Sequence, residues 1–462
     1  MQLKISNYID DHASEMIASL SKLVAVPSVR GKAEPGMPYG AEPARALDTM
    51  LHLAEGFGFS VKNHENIMGT IDFDPEKPTT LGVLCHLDVV PEGTGWSNPP
   101  YTLTLSGGKL LGRGSADDKG PAIAVLFAMR ALRECGYELS QNVRFLVGTD
   151  EECGSSDLEY YRKKETLPPR VFTPDAAFPV IHLEKGHIRG KVVKKILADG
   201  QRTVVSASGG TVVNAVPDRA YATLRGFSDE ELAMAETALP EGITIEYKKT
   251  DDEVALTVKG VSAHASFPQA GKNAVTALFR YLGTLRTDDG TGALFDTLSN
   301  VFRYGEAGGE SLGISMSDEK SGKLTFVCSV FHFDEGSFEG SFDSRFPICA
   351  TSAKIRAKLE KVFTKAGLTI DEWNANEPHY VDENSEFIRT LLDVYTEITH
   401  KKGECVAIGG GTYVHNVEGG VAFGAEHRGV DNHVHGADEF LPLEHFLLNA
   451  KIYAEAILRL CK

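Results

Sequence analysis

The stretch Leu81-Gly-Val-Leu-Cys-His86-Leu-Asp88-Val-Val-Pro91 decides how the rest of the chain is read. A short, nearly continuous apolar run of this kind forms a buried strand, and this one ends in a histidine with an aspartate two residues on. In an extended chain residues i and i+2 share a face, so Asp88 can hold one imidazole nitrogen of His86 while the other ligates a metal. Taken alone, a strand-end histidine satisfied by an ordinary neighbour is the simpler reading. The surroundings shift that balance.

Short apolar runs recur at 109–112, 143–148 and 170–173, alternating with helix-like stretches such as 121–135. Upstream, 9–26 and 42–59 carry apolar residues at the three- and four-residue spacings of helices that pack on a sheet. This is an α/β pattern, with a mixed, largely parallel sheet covered by helices. After about Leu183 the character changes: β-rich, glycine-punctuated segments (188–193, 219–227, 253–258, 324–333) interleave with helical ones (229–239, 274–285, 352–366). A helix at 385–399, the turn Gly409-Gly-Gly-Thr-Tyr413, a strand at 420–423 and a helix at 443–460 then restore the α/β pattern. The expected organisation is a discontinuous catalytic domain, 1–184 and 381–462, with helices on both faces of its sheet, interrupted by an inserted α+β domain over 185–380.

A chain of 462 residues exceeds one ordinary core, which agrees with more than one domain. Its formal charge of −17 repels phosphate backbones, and no Lys/Arg stripe relieves it, so nucleic acid is not an expected partner. No apolar run reaches the roughly 18 residues of a membrane span, and the N-terminal residues lack the pattern of a secretory signal. The seven cysteines are odd in number and contain no C-x-x-C pair, which argues against a disulfide framework or a zinc–cysteine site and for a reducing cytoplasm. The glycines of Gly112-Arg-Gly-Ser and Gly409-Gly-Gly complete neither a dinucleotide fingerprint nor a P-loop.

Carboxylates and histidines gather at the ends of the predicted strands. Leu111-Gly-Arg-Gly-Ser-Ala-Asp117-Asp118-Lys-Gly120 joins a strand to the helix starting near Pro121; its aspartates suit helix capping or, at a sheet's C-terminal edge, a site. In Val143-Arg-Phe-Leu-Val-Gly-Thr-Asp150-Glu151-Glu152 a strand runs into three successive acids. Like charges this close raise one another's pKa unless a cation compensates. Glu151 and Glu152 project in different directions, so one can ligate and the other can face a metal-activated water as general base. Val171-Phe-Thr-Pro-Asp175 and His433-Val-His435-Gly-Ala-Asp438-Glu439 complete a donor set of carboxylate and imidazole, which suits zinc, manganese or cobalt better than calcium.

The order H-x-D, G-R-G-x-x-D-D-K-G, D-E-E, P-D and a late H-x-x-[DN]-E resembles the M20 metallopeptidases over nearly the whole chain. The long insertion and the phrases from Gly112 to Pro121 and from Thr173 to Pro179 look like the PepV-type dipeptidases. That resemblance implies two divalent metal ions, zinc first with manganese or cobalt as alternatives. His86 and Asp175 would hold one, Glu152 and His435 the other, and Asp117 would bridge them. It implies Glu151 as the base that activates a metal-bridging water, Asp88 as the carboxylate orienting His86, and a cis bond between Asp117 and Asp118.

In the inserted domain, read as a lid, His264 resembles the family histidine that stabilises the oxyanion, while Asn214 and Arg345 resemble residues that bind substrate. His433 competes with His435, the spacing to Asp438-Glu439 favouring His435, and His415 and His427 are spare candidates. His415 also stands where the family pattern leads one to expect a basic residue. The implied activity is hydrolysis of small dipeptide substrates by a monomer. The alternatives are an N-acyl amino acid deacylase, against which Asp175 weighs because that branch typically has glutamate there, and a non-catalytic metal-binding protein, against which Glu151 weighs.

Overall fold

The computed structural model describes residues 2–250 and 252–462. They form two compact units. One contains the chain up to Leu183, Tyr380–Val406 and Gly411–Lys462; the other contains Glu184–His379 with Ala407–Gly410.

The sheet of the first unit runs in the order Ser60–His64, Met68–Asp72, Asn142–Gly148, Thr79–His86, Arg170–Thr173, Gly420–Ala422, Val180–Glu184. The four strands from Asn142–Gly148 to Gly420–Ala422 are parallel, and antiparallel pairings flank them, so the sheet is mixed with a parallel centre. Alternation along the strands divides the side chains between two faces. Val83, Cys85, Phe145, Val147 and Phe172 join the core formed with the helices Ala13–Val24, Ala41–Gly56, Lys119–Glu134 and Leu443–Leu460. Leu84, Leu146 and Val171 turn the other way, onto Leu158 and Tyr161 of the helix Ser156–Lys164 and onto Tyr413, Val414 and Val417.

Helix Lys119–Glu134 is buried over nearly its whole circumference, as its run Ala122-Ile-Ala-Val-Leu-Phe-Ala-Met129 requires. Its start is therefore fixed directly beside the parallel strands. Because those strands run in register, with His86 opposite Gly148 and Val83 opposite Phe172, their C-terminal ends open on one edge of the sheet.

The second unit is built on an eight-stranded sheet in which every neighbouring pair is antiparallel. Helices Ala274–Leu282, Thr291–Val301 and Ser352–Lys365 contribute to its core, where Phe279, Phe295, Phe331, Phe333, Phe338 and Phe342 are buried. Gly186 and Gly190 leave room for two of the rings. A Cβ at either position would come within 2.2 and 2.3 Å of Phe346 and Phe342.

One local reading changes. The stretch 9–26 lies in two helices, Gln2–Asp11 and Ala13–Val24, separated at His12, whose ring stacks on Tyr8 and whose Nδ1 bonds the Tyr8 carbonyl oxygen at 2.7 Å. Strands Ser60–His64, Thr244–Lys249 and Thr369–Asn376 carry no apolar run, because each lies at or next to an exposed end of its sheet and is largely polar.

Gly148 ends the strand that leads into Asp150-Glu151-Glu152, and a Cβ there would fall 1.8 Å from the Tyr413 hydroxyl and 2.3 Å from Asp157 Oδ2. Gly148→Ala is expected to destabilise the protein by about 1–3 kcal/mol through overpacking, measured by urea unfolding. A loss below about 0.5 kcal/mol would mean that Tyr413 and Asp157 move aside freely.

Candidate metal centre

The segments that supply His86, Asp117, Glu151 and Glu152 are held by backbone hydrogen bonds to buried side chains. After Gly148 the chain makes a single 3₁₀ turn, Glu151–Cys153. The four N–H groups entering it are taken up by two carboxylates. Asp157 Oδ2 accepts from Thr149 N and Asp150 N at 2.7 and 2.9 Å, while Asp88 Oδ1 and Oδ2 accept from Glu151 N and Glu152 N at 3.2 and 3.1 Å. The Tyr413 hydroxyl donates to the same Asp157 oxygen at 2.8 Å.

Asp88 also stands beside His86. His86 Nδ1 donates to the Asp88 main-chain oxygen at 3.0 Å, and the carboxylate stands 3.5 Å away. The imidazole is oriented chiefly by the carbonyl, whereas the carboxylate positions the backbone of Glu151 and Glu152. Asp118 Oδ2 accepts from His86 N at 3.1 Å, and the peptide between Asp117 and Asp118 is cis.

His86 Nε2 thus faces Asp117 Oδ1 at 2.9 Å and Asp175 Oδ2 at 3.7 Å. His435 Nε2 lies 3.0 Å from Asp117 Oδ2 and 3.1 Å from Glu152 Oε1. Asp117 therefore turns one oxygen to each histidine. Donor atoms of His86, Glu151 and Asp175, and of His86, Asp117 and Glu152, lie within 4.8 Å of one another. His433 points elsewhere, its ring against Phe440, and His427 is buried with Nε2 2.8 Å from Asn449 Oδ1.

The acids are crowded. Burial, with the charges of Asp117, Glu152 and Asp88 and against the pull of His86, pushes Glu151 up to about 8. Burial and Asp117 push Asp175 well above the ordinary carboxylate range. Asp117 goes the other way: burial opposes ionisation, but hydrogen bonds from His435 and His86 hold it below that range. Hydrogen bonds to Asp117 and Glu152 push His435 up to about 10. Carboxylate oxygens and imidazole nitrogens converging from both sides of a shared aspartate fit a pair of divalent cations, whose charge offsets the repulsion.

In the second unit, the strand Ala215–Val216 pairs with Ala263–His264, and Asn214 accepts from Ala265 N at 2.9 Å, so Asn214 and His264 are neighbours. His264 is exposed, with Nδ1 2.6 Å from Ser266 Oγ. Arg345 is nearly buried. Its Nε and Nη2 donate to Asp343 at 2.7 and 3.0 Å and its Nη1 to the Gly409 oxygen at 3.1 Å. His187 Nε2 also reaches Asp343, at 3.1 Å.

The supporting residues Asp157, Tyr413, Arg113 and Glu439 were not singled out by motif reasoning for what they do. Each acts on a segment distant in sequence, and the available signal was a charged or polar residue placed beside a motif.

A metal-ligating constellation at the C-terminal edge of a parallel-centred α/β sheet defines a metallohydrolase class of site. Residues 82–459 match the model of peptidase family M20/M25/M40, and the chain belongs to this family. The chain is 33% identical over 459 residues, 97% of either chain, to the Bacillus subtilis (strain 168) protein named "Putative dipeptidase YtjP". It is 31% identical over 467 residues, 98% of either chain, to the similarly named SAR1836 of Staphylococcus aureus (strain MRSA252). Among solved structures it resembles the dipeptidase Dug1p of Saccharomyces cerevisiae (TM-score 0.61, 14% identity, covering 100% of this chain and 98% of that one). It also resembles human carnosine dipeptidase 1 (TM-score 0.57, 17% identity, 100% of both chains). At those identities the structural likeness concerns the fold.

The pKa directions give a test. Glu151 keeps its proton to about 8 in the metal-free fold, against an ordinary 4.5, so the folded state binds more protons than the unfolded state across that interval. Its stabilising contribution is present at low pH and is lost as pH rises; His435, raised from 6.5 to about 10, acts in the same direction higher up. Metal-free protein is expected to melt at progressively lower temperature from pH 6 to 8.5. Zn2+ or Mn2+ should raise the melting temperature more at pH 8 than at pH 6, because binding expels those protons. A metal-induced shift that is equal at both pH values would contradict this account of the cluster.

Proposed function

We propose that the protein is a dipeptidase that hydrolyses free dipeptides at a two-metal centre, with Glu151 as general base. His86 and Asp175 hold one ion, Glu152 and His435 the other, and Asp117 is shared. The observation that carries this reading is the meeting of these donors, from five separate segments, beside Glu151. The full-length relatives named as dipeptidases support the substrate class.

Bound divalent ions lower the pKa of water toward 7 and polarise a carbonyl oxygen. Zinc suits the nitrogen and oxygen donors, and manganese or cobalt could serve in its place. Glu151 takes the proton of the attacking water and returns it to the departing amine, acting as base and acid in turn. Asp88, by binding the Glu151 and Glu152 N–H groups, keeps base and ligand on their separate faces. His264 is assigned to the oxyanion and Asn214 and Arg345 to substrate binding. Asp343, which grips one edge of the Arg345 guanidinium, fixes the plane in which it can meet a carboxylate.

Metal-free protein reloaded with zinc, manganese or cobalt is expected to cleave a panel of free dipeptides. Glu151→Gln should lower kcat by roughly 10²–10⁴-fold while metal content stays at two. Cleavage restricted to N-acyl amino acids would replace the reading with a deacylase, and two tightly bound metals without turnover would make this a binding protein. Arg345→Met should act chiefly on KM for substrates with a free carboxylate; an unchanged KM would remove Arg345 from the substrate's surroundings.

A further inference from the structure

Asp117 and His435 come from opposite ends of the chain, and Glu439 joins their segments. Its two carboxylate oxygens divide the task. Oε1 accepts from Ala116 N and Asp117 N at 2.9 and 3.2 Å, while Oε2 accepts from Arg113 Nη1 at 2.7 Å. The Glu439 main-chain oxygen accepts from Gly112 N at 3.0 Å. Arg113 and Glu439 are each only 1% exposed in their side chains. Arg113 is held in turn by the oxygens of Pro91 and Glu92, both at 3.3 Å, and lies over the ring of Trp96. The adjacent Asp438 accepts from Ser97 N and Oγ at 2.8 and 2.7 Å.

A buried ion pair is a poor device for stability alone, since apolar residues of similar volume often serve as well. A bidentate carboxylate, however, can fix one loop against another. His435 needs this, because it is exposed, has a left-handed backbone (φ 63°), and sits in a loop whose Asp438 is left-handed as well (φ 56°). His86 does not depend on Glu439: it is buried and pinned separately by Asp88 and Asp118.

We propose that Glu439 is a positioning residue: braced by Arg113, it locks the 112–118 turn to the 433–439 loop so that Asp117 and Glu152 meet His435 at ligand distance. Because His86 has anchors of its own and His435, among the described residues, lacks them, the Glu152–His435 side of the centre depends on this lock more than the His86–Asp175 side does. The inference rests on the two-metal reading above.

The test is titration of the metal-free full chain with Mn2+, followed by metal content after dialysis and by electron paramagnetic resonance. Wild type should take up two ions with a spin-coupled spectrum. Glu439→Gln keeps an oxygen for the two N–H groups but turns an NH2 toward Arg113. It should bind one ion as wild type does and the second about 10–100-fold more weakly, showing an isolated-ion signal at intermediate Mn2+. Saturating Mn2+ should restore the coupled spectrum and kcat, which general damage to the fold would not permit. Should Glu439→Gln fail to fold by circular dichroism, Arg113→Lys, which keeps the cation but loses its fork, must show the same selective weakening. A folded variant that binds both ions as wild type does, or loses both equally, overturns the proposal. A wild type that takes up fewer than two ions overturns the metal-centre reading and this inference with it, an outcome plainly different from an unaltered titration of the variant.

Discussion

The constraint on which the first unit depends is the repulsion among acids brought to one edge of its sheet. Asp88, Asp117, Asp118, Glu151, Glu152 and Asp175 gather around His86 and His435, and several of the charges are buried. At an effective dielectric constant of about 20, two charges 4 Å apart interact by roughly 4 kcal/mol, so such a set cannot all ionise without compensation. The chain's own groups give part of it: two imidazoles share Asp117, and backbone N–H groups satisfy Asp88 and Asp157. Burial first, and then the repulsion they leave uncompensated, raises the proton affinity of Glu151, Asp118 and Asp175. Burial and repulsion together thus define a place for cations and, in the metal-free fold, raise the proton affinity of Glu151.

The rest of the unit can be understood as what keeps that arrangement from relaxing. A flexible loop bearing Glu151 and Glu152 would swing its charges into water. It stays because Gly148 closes against Tyr413 and Asp157, and because its N–H groups point into buried carboxylates. The turn bearing Asp117 stays because helix Lys119–Glu134 behind it is enclosed by the core and Glu439 grips it from the front.

Much of this was legible in the sequence because ligands at strand ends follow apolar runs, and an apolar run has a period. Strand Arg170–Thr173 and helix Leu443–Leu460 coincide with the segments read from hydrophobic spacing, and the candidate segments beyond the strands were picked out by position, the separate residue roles being implied only by the family resemblance. What stayed hidden has no period. The polar strands Ser60–His64 and Thr369–Asn376 are recruited by pairing with neighbours. The separation of helices at His12, where the ring stacks on Tyr8, likewise leaves the apolar spacing unbroken. The actual work of the Asp88 carboxylate was hidden for a related reason: i and i+2 spacing places it beside His86 but says nothing of Glu151 N and Glu152 N, more than sixty residues along the chain. The placement of residues 407–410 with the second unit is equally non-local.

These anchors bear on how the centre assembles. In small zinc domains the metal organises the ligands, and binding and folding are one event. Here the ligand-bearing loops are tied by contacts that involve no cation: Asp88 to Glu151 and Glu152, Asp118 to His86, Glu439 to Asp117 and Arg113. Beneath them lies a continuous core spanning the sheet and its helices. The chain has therefore met much of the conformational cost of the site in folding, and a cation arriving there encounters donor pairs already 2.9–3.7 Å apart. What remains for it to overcome is protonation, at Asp175, Glu151 and His435, so occupancy should be governed by proton release more than by loop ordering.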